Sequence, residues 1–143
     1  MKRSTRVDEL GWAGFLAPLV ADAVAPISDA LYGRKAPTPK RVALKFSTAF
    51  SEQMVCEDHT RRSPLPASLK AKKRADVHPI TVSIAIAGDW KGGGTKFFDG
   101  AGNSVFVANA KGVAVLYPGR LSHQPQPLTE GFRYALTVHC DRR

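Results

Sequence analysis

Cysteine and acidic residues are scarce in this chain of 143 residues, and each shortage excludes some classes of protein. The two cysteines, Cys56 and Cys140, are too few for a disulfide-rich scaffold or for a zinc site built from four cysteines. The 12 acidic residues are outnumbered by 21 lysines and arginines, so the formal net charge is +9. This balance favours acidic partners and solubility but carries no information about the fold.

Long apolar runs are also absent from the sequence. The longest, Gly11 to Pro26, is interrupted by Pro18 and Asp22 and is too short to cross a membrane, so we expect no membrane span. Three positive charges at the start and an Ala-Val-Ala sequence leave a signal peptide open as an alternative. Asp8 and Glu9 stand where signal peptides avoid acids. We therefore favour an amphipathic helix, and a cytoplasmic over a secretory location.

The length and the hydrophobic fraction of 43% indicate one globular domain. Its first part, residues 1–40, is predicted to be a helical segment of that domain. Apolar residues recur at helical spacing over residues 7–32, and Pro18 and Pro26 are expected to divide this helix into shorter pieces. Gly33 and the prolines after it end the helical part.

The remaining residues, 41–143, predict a mainly β core. Residues 41–50 alternate with period two, whereas residues 51–74 show no periodicity and are predicted to form an irregular basic loop. Short strands separated by frequent turns are typical of a sandwich or a barrel. The predicted later strands are Thr81–Ala87, Thr95–Phe98, Ser104–Ala108, Val113–Tyr117 and Arg133–Cys140, and Leu121–Gln124 is predicted to be short and extended.

Three consecutive glycines, Gly92 to Gly94, precede one of these strands. A phosphate-binding loop needs a following helix and a Lys-Ser/Thr pair, and the sequence offers neither here. We therefore predict a tight turn, spanning Asp89 to Gly94, with positive backbone φ angles.

A few polar residues together suggest a metal site. In an extended segment Asp76 and His78 point to the same side, and His123 lies near the start of a late strand. Two histidines and one carboxylate with open coordination positions suit a non-haem Fe(II) site that activates oxygen. Arg133 would add a guanidinium fork that binds a carboxylate. Taken singly, each residue is more often an ordinary polar group.

Several segments in order resemble the C-terminal core of 2-oxoglutarate- and Fe(II)-dependent dioxygenases of the prolyl 4-hydroxylase type. The resemblance extends over residues 74–138, close to half of the chain. It combines an apolar strand, a Gly-Gly-Gly-Thr turn, a Lys-Gly turn, and a histidine followed ten residues later by an arginine. The segments are Thr81–Ile86, Asp89–Phe98, Ala110–Gly119, His123 and Leu128–Leu136.

The resemblance implies a jelly roll, or double-stranded β-helix, with N-terminal helices packed outside. It implies a hydroxylase that uses Fe(II), 2-oxoglutarate and ascorbate as reductant, acts on an unknown substrate such as a protein side chain, and releases succinate and CO2. Asp76 and His123 would hold the iron and Arg133 the far carboxylate of 2-oxoglutarate. Tyr117 would add a hydrogen bond to that cosubstrate, or is simply a packed core residue.

One position departs from the family pattern, because Arg74 occupies the place of the first histidine ligand. An arginine has no lone pair to offer and stays protonated, so it cannot bind iron. Three interpretations stay open. His78 substitutes as a ligand, His59 reaches the site from the 51–74 segment, or the chain is a non-catalytic relative.

The rival class is a binding protein for acidic partners or nucleic acid. A cluster of basic residues would neutralise phosphates in a salt-dependent manner. It contains no interleaved aromatic residues, so stacking on bases is not supported, and a solvated loop is the favoured interpretation. The cluster consists of Arg61, Arg62, Lys70, Lys72, Lys73 and Arg74.

Overall fold

The structure is a computed structural model that describes residues 5–6, 9, 11–33, 37–49, 51–54, 62–64 and 79–142. These residues form antiparallel sheets and an N-terminal helical segment, so the predicted mainly β class with N-terminal helices is confirmed. The helical elements are α1 (Ala13–Leu19), a π-helical segment (Val20–Val24) and α2 (Ala25–Tyr32). The strands are β1 (Thr5–Arg6), β2 (Pro37–Thr48), β3 (Ser51–Met54), β4 (Arg62–Pro64), β5 (Ile80–Gly92), β6 (Thr95–Phe98), β7 (Ser104–Val107), β8 (Ala114–Pro118), β9 (Ser122–Pro125) and β10 (Leu128–Arg142).

The helical elements run without a break from Ala13, not from residue 7, to Tyr32. The segment is nevertheless divided into shorter pieces near both prolines, as expected: α1 ends one residue after Pro18, and Pro26 lies in the first turn of α2. Proline lacks an N–H and its ring crowds the carbonyl four residues earlier. The π-helical segment lies between the two prolines, and Pro26 occupies the first turn of α2, where a missing N–H is tolerated.

The helix ends at Gly33, as predicted. This glycine adopts the left-handed conformation, with φ 57°, and its N–H donates to the carbonyl of Asp29 at 3.0 Å. Glycine reaches that conformation without the steric cost that other residues incur, which explains why the helix stops there.

By length and composition the 20-residue helix Ala13–Tyr32 would be able to cross a membrane, contrary to the expectation from its prolines. Core helices and signal sequences share this length and composition, so these two properties do not identify a span. Leu16, Val20 and Val24 on one side of this helix are buried in the hydrophobic core. One side of the helix therefore packs against the sheet.

The larger sheet has the strand order β4-β3-β2-β10-β5-β8, with β1 also paired to β2. Alternate residues of the long central strands face the helix, which explains their period-two apolar pattern. The apolar side chains on this side of the sheet are buried against the helix and form the core. Its members on the sheet are Val42, Ile80, Val82, Leu136, Val138 and Cys140.

One loop prediction and one turn prediction need correction. Residues 51–74 were expected to be irregular, but β3 and β4 lie within this segment and extend the sheet beyond β2. Strands of three or four residues are too short to show a readable period. The predicted turn Asp89–Gly94 is also shorter than expected, because pairing with β10 keeps the chain extended to Gly92.

The smaller sheet has the order β7-β6-β9 and joins the larger one at a corner. There the Gly93 N–H donates to the Pro127 carbonyl at 3.0 Å, and the Gln126 N–H donates to the Gly94 carbonyl at 2.9 Å. Gly92, Gly93 and Gly94 have φ angles of 76°, 77° and 85°, which confirms the predicted glycine turn. This corner fixes β6 and β9 relative to β10.

Candidate functional site

His123 lies on β9, opposite Phe97 of β6, and is only 2% exposed. Its Nδ1 is 2.9 Å from the carbonyl oxygen of Leu121. Because a carbonyl oxygen only accepts hydrogen bonds, Nδ1 must be the donor, and the neutral imidazole then keeps its lone pair on Nε2. The backbone of this chain therefore selects the tautomer in which Nε2 is able to bind a metal ion.

Two aromatic side chains hold the His123 ring. The ring centroid of Tyr117 lies 5.0 Å from that of His123, and the ring of Phe97 lies 6.0 Å away. Phe97 and Tyr117 also contact each other at 5.0 Å. This cluster packs the smaller sheet against β8 of the larger sheet, and it surrounds the histidine with apolar atoms. The hydrogen-bonding role suggested for Tyr117 stays a prediction.

The site lies on the side of the larger sheet that faces away from the helix. Tyr117 pairs with Thr81, and Thr81 pairs with His139 across the sheet, with 3.4 Å between the Thr81 Oγ1 and the His139 Nδ1. Arg133 is on the same strand as His139 and an even number of residues away, so it shares this side of β10. Three of the predicted side chains, from Tyr117, His123 and Arg133, thus lie between the two sheets.

Arg133 is positioned by the corner and by β5. Its guanidinium carbon lies 5.9 Å from the ring centroid of Trp90, within reach of a cation–π interaction. A Cβ atom added to Gly93 would lie 2.9 Å from the Arg133 Nη1. The absence of a side chain at Gly93 therefore makes room for the guanidinium.

The environment of Arg133 suits recognition of an anion. Its Nε and Nη1 are shielded from water, and a guanidinium stays charged at any physiological pH. A charge in a water-poor site interacts more strongly with a carboxylate than a surface charge does, and the planar fork matches both carboxylate oxygens. The site thus offers an imidazole Nε2 and a partly buried guanidinium group, both carried by strands that meet at one corner.

The other predicted site residues, Asp76 and His78, lie outside the described residues, as do Arg74 and His59. Within the described part of the chain no group of three potential ligands forms a metal cluster. The ligand set, His123 included, therefore stays a prediction. Of the basic cluster, only Arg62 falls in a described element, β4.

The contacts that support the site were not predicted from the sequence. Trp90 and Phe97 gave no signal of their own beyond apolar character, and the Leu121 carbonyl is a backbone group that any residue would supply. Only the glycine triplet before β6 marked a place where backbone and side chains approach closely. Comparison with known protein families and with curated protein sequences finds no match for this chain.

Proposed function

We propose that this protein is a 2-oxoglutarate- and Fe(II)-dependent oxygenase that hydroxylates its substrate and releases succinate and CO2. The observation that carries the proposal is the buried His123, whose Nδ1 donates to the Leu121 carbonyl and leaves Nε2 available for a metal. The rings of Phe97 and Tyr117 contact this buried imidazole, which supports the assignment by fixing the position of the ring.

The strand order supports a jelly roll. In that fold the first, eighth, third and sixth strands form one sheet, and the second, seventh, fourth and fifth form the other. With β2 counted as the first strand, β2-β10-β5-β8 matches the first sheet and β7-β6-β9 matches three strands of the second. No strand in the described residues takes the second position, and the chain between β4 and β5 contains Asp76 and His78.

The roles of the residues follow from this proposal. His123 would bind the iron through Nε2, with Asp76 as the carboxylate ligand and His78 as the substitute for the histidine that Arg74 replaces. Arg133 would hold the far carboxylate of 2-oxoglutarate through its guanidinium fork. Bound Fe(II) would activate oxygen, with ascorbate as the reductant that keeps the metal ferrous. Phe97 and Tyr117 would keep water away from the His123 ring.

The test is an anaerobic titration of the purified protein with Fe(II) and 2-oxoglutarate, in which the visible charge-transfer band of the chelate is measured. We expect a band for the unmodified chain and none for His123→Ala, which lacks the Nε2 ligand. His139→Ala is the matched control, because His139 belongs to β10 and contacts Thr81. A folded protein with no band, or an unchanged Fe(II) affinity in His123→Ala, would contradict the assignment and favour a non-catalytic relative.

Arg133 is tested separately through the cosubstrate. Arg133→Ala should retain Fe(II) binding, but the 2-oxoglutarate concentration needed for half-saturation should rise at least about tenfold, because a charge-assisted pair is lost. Arg120→Ala, which removes an exposed arginine from the turn after β8, is the control. Equal 2-oxoglutarate affinity in Arg133→Ala would refute the carboxylate role while leaving the metal assignment intact.

A further inference from the structure

A cavity of about 390 Å³ opens where the edge strand β8 meets β6 and β7 of the smaller sheet. Its walls are mostly apolar and include Val105, Val107 and Val115, with Tyr32 from the end of α2 at one side. Protein sites for small molecules have volumes of roughly 300–1,000 Å³ and the same apolar character. The cavity therefore has the size and chemistry for a small organic molecule.

One edge of this cavity carries a negative charge. Asp99 lines it, and its Oδ1 accepts hydrogen bonds from the backbone N–H of Ala101 at 2.9 Å and of Asn103 at 2.8 Å. Its Oδ2 accepts from the Asn103 Nδ2 at 2.9 Å. These bonds, the Asn103 side chain first, lower the pKa of Asp99 below its ordinary value of 3.8, so the carboxylate is ionised at neutral pH.

The apolar wall is both open to a ligand and connected to His123. Val105 is 66% exposed, and a bound apolar group would cover part of this surface. Phe97 and Tyr117 line the cavity and also contact the His123 ring. A ligand that packs against these two aromatic rings changes the magnetic environment of the histidine.

We propose that this cavity binds a small molecule with an apolar body and a single cationic end, such as an arylalkylamine. The body packs against the valines of β7 and β8, and the ammonium group lies near the Asp99 carboxylate. This assignment is independent of the oxygenase proposal, because it needs neither iron nor 2-oxoglutarate. Asp99 is the one charged residue among those that line the cavity in the described part of the chain.

The probes are 4-phenylbutylamine, 4-phenylbutanol and 4-phenylbutyrate, which share one apolar body and differ in the charge of the end group. Binding to the metal-free full chain is measured by NMR titration, with the His123 ring protons as the reporter. We expect the amine to bind roughly two- to fivefold more tightly than the alcohol, because the carboxylate is solvated. Asp99→Asn should abolish this preference for the amine but leave the affinity for the alcohol unchanged. The control Asp89→Asn should leave the preference unchanged.

A second pair of variants tests the location. Val105→Trp should fill the opening from an exposed position and weaken the amine and the alcohol at least tenfold, while Val113→Trp places the same bulk at an exposed valine that does not line the cavity. Circular dichroism establishes that both variants are folded. The proposal would be overturned if none of the probes saturated the protein at millimolar concentration. It would also be overturned if the butyrate bound more tightly than the amine, or if binding were unchanged in Val105→Trp.

Discussion

The contact between Gly93 and Arg133 gives a sharp test of how the site is built. Gly93 has φ 77°, and a Cβ atom there would lie 2.8 Å from the Leu128 Cδ2 and 2.9 Å from the Arg133 Nη1. Gly93→Ala therefore combines backbone strain of about 1–2 kcal/mol with an overpacking cost of about 1–3 kcal/mol. We expect a total loss of about 2–5 kcal/mol in the free energy of unfolding, measured by urea denaturation.

Gly102→Ala is the matched control. Gly102 has φ 88°, but an added Cβ meets nothing within 4 Å, so only the backbone strain of about 1–2 kcal/mol is expected. Both substitutions remove similar freedom from the unfolded chain, so that contribution cancels in the comparison. Equal losses in the two variants would refute the packing of the guanidinium against Gly93. A loss in Gly93→Ala that is partly relieved by Arg133→Ala would identify Arg133 as the group displaced.

Two further predictions concern the core. Leu16→Ala should lower the free energy of unfolding by about 2–5 kcal/mol, because Leu16 is fully buried between helix and sheet. The control Leu19→Ala, one turn away at a residue that is 38% exposed, should lower it by less than about 1 kcal/mol. Similar losses in the two variants would show that the helix does not pack as described. Burial raises the pKa of Cys140 to about 12, and the negative charge of Asp141 adds to the shift. The stabilising contribution of the protonated Cys140 thiol is therefore complete below about pH 9, where the unfolded thiol is also protonated, and is lost as the pH rises to about 12. In urea denaturation over that range the unmodified chain should lose stability faster than Cys140→Ala, by up to about 1.4 kcal/mol per pH unit, and parallel curves would contradict the buried thiol.

Local patterns predicted much of the fold because one-sided burial leaves a period in the sequence. The face of β2 that holds Val42, Leu44 and Phe46 was recognised from its alternation, and β6 was predicted with the bounds that the structure shows. The prolines of the helix predicted its division near Pro18 and Pro26, but not that the backbone stays helical across that division. A proline is a strong local signal against a helix, but packing of Leu16, Val20 and Val24 on the sheet outweighs it.

The candidate site was predictable only as a set of residue types. His123 and Arg133 were selected by their order and spacing, but the tautomer of His123 depends on the Leu121 carbonyl and on a turn of the backbone. The Trp90 contact with Arg133 joins β5 to β10, more than forty residues apart. No local period encodes such a pair, because the two side chains meet only through sheet pairing.

The sequence by itself determined the mainly β class, the helix end at Gly33, the glycine turn before β6, and a basic chain too poor in cysteine to rely on disulfides. These features depend on local sterics, side-chain alternation and composition. Only the tertiary structure decided that β10 lies between β2 and β5, and that two aromatic rings enclose His123. Those arrangements are stabilised by apolar burial between segments that are distant in sequence. A local sequence pattern does not encode which distant segments will meet.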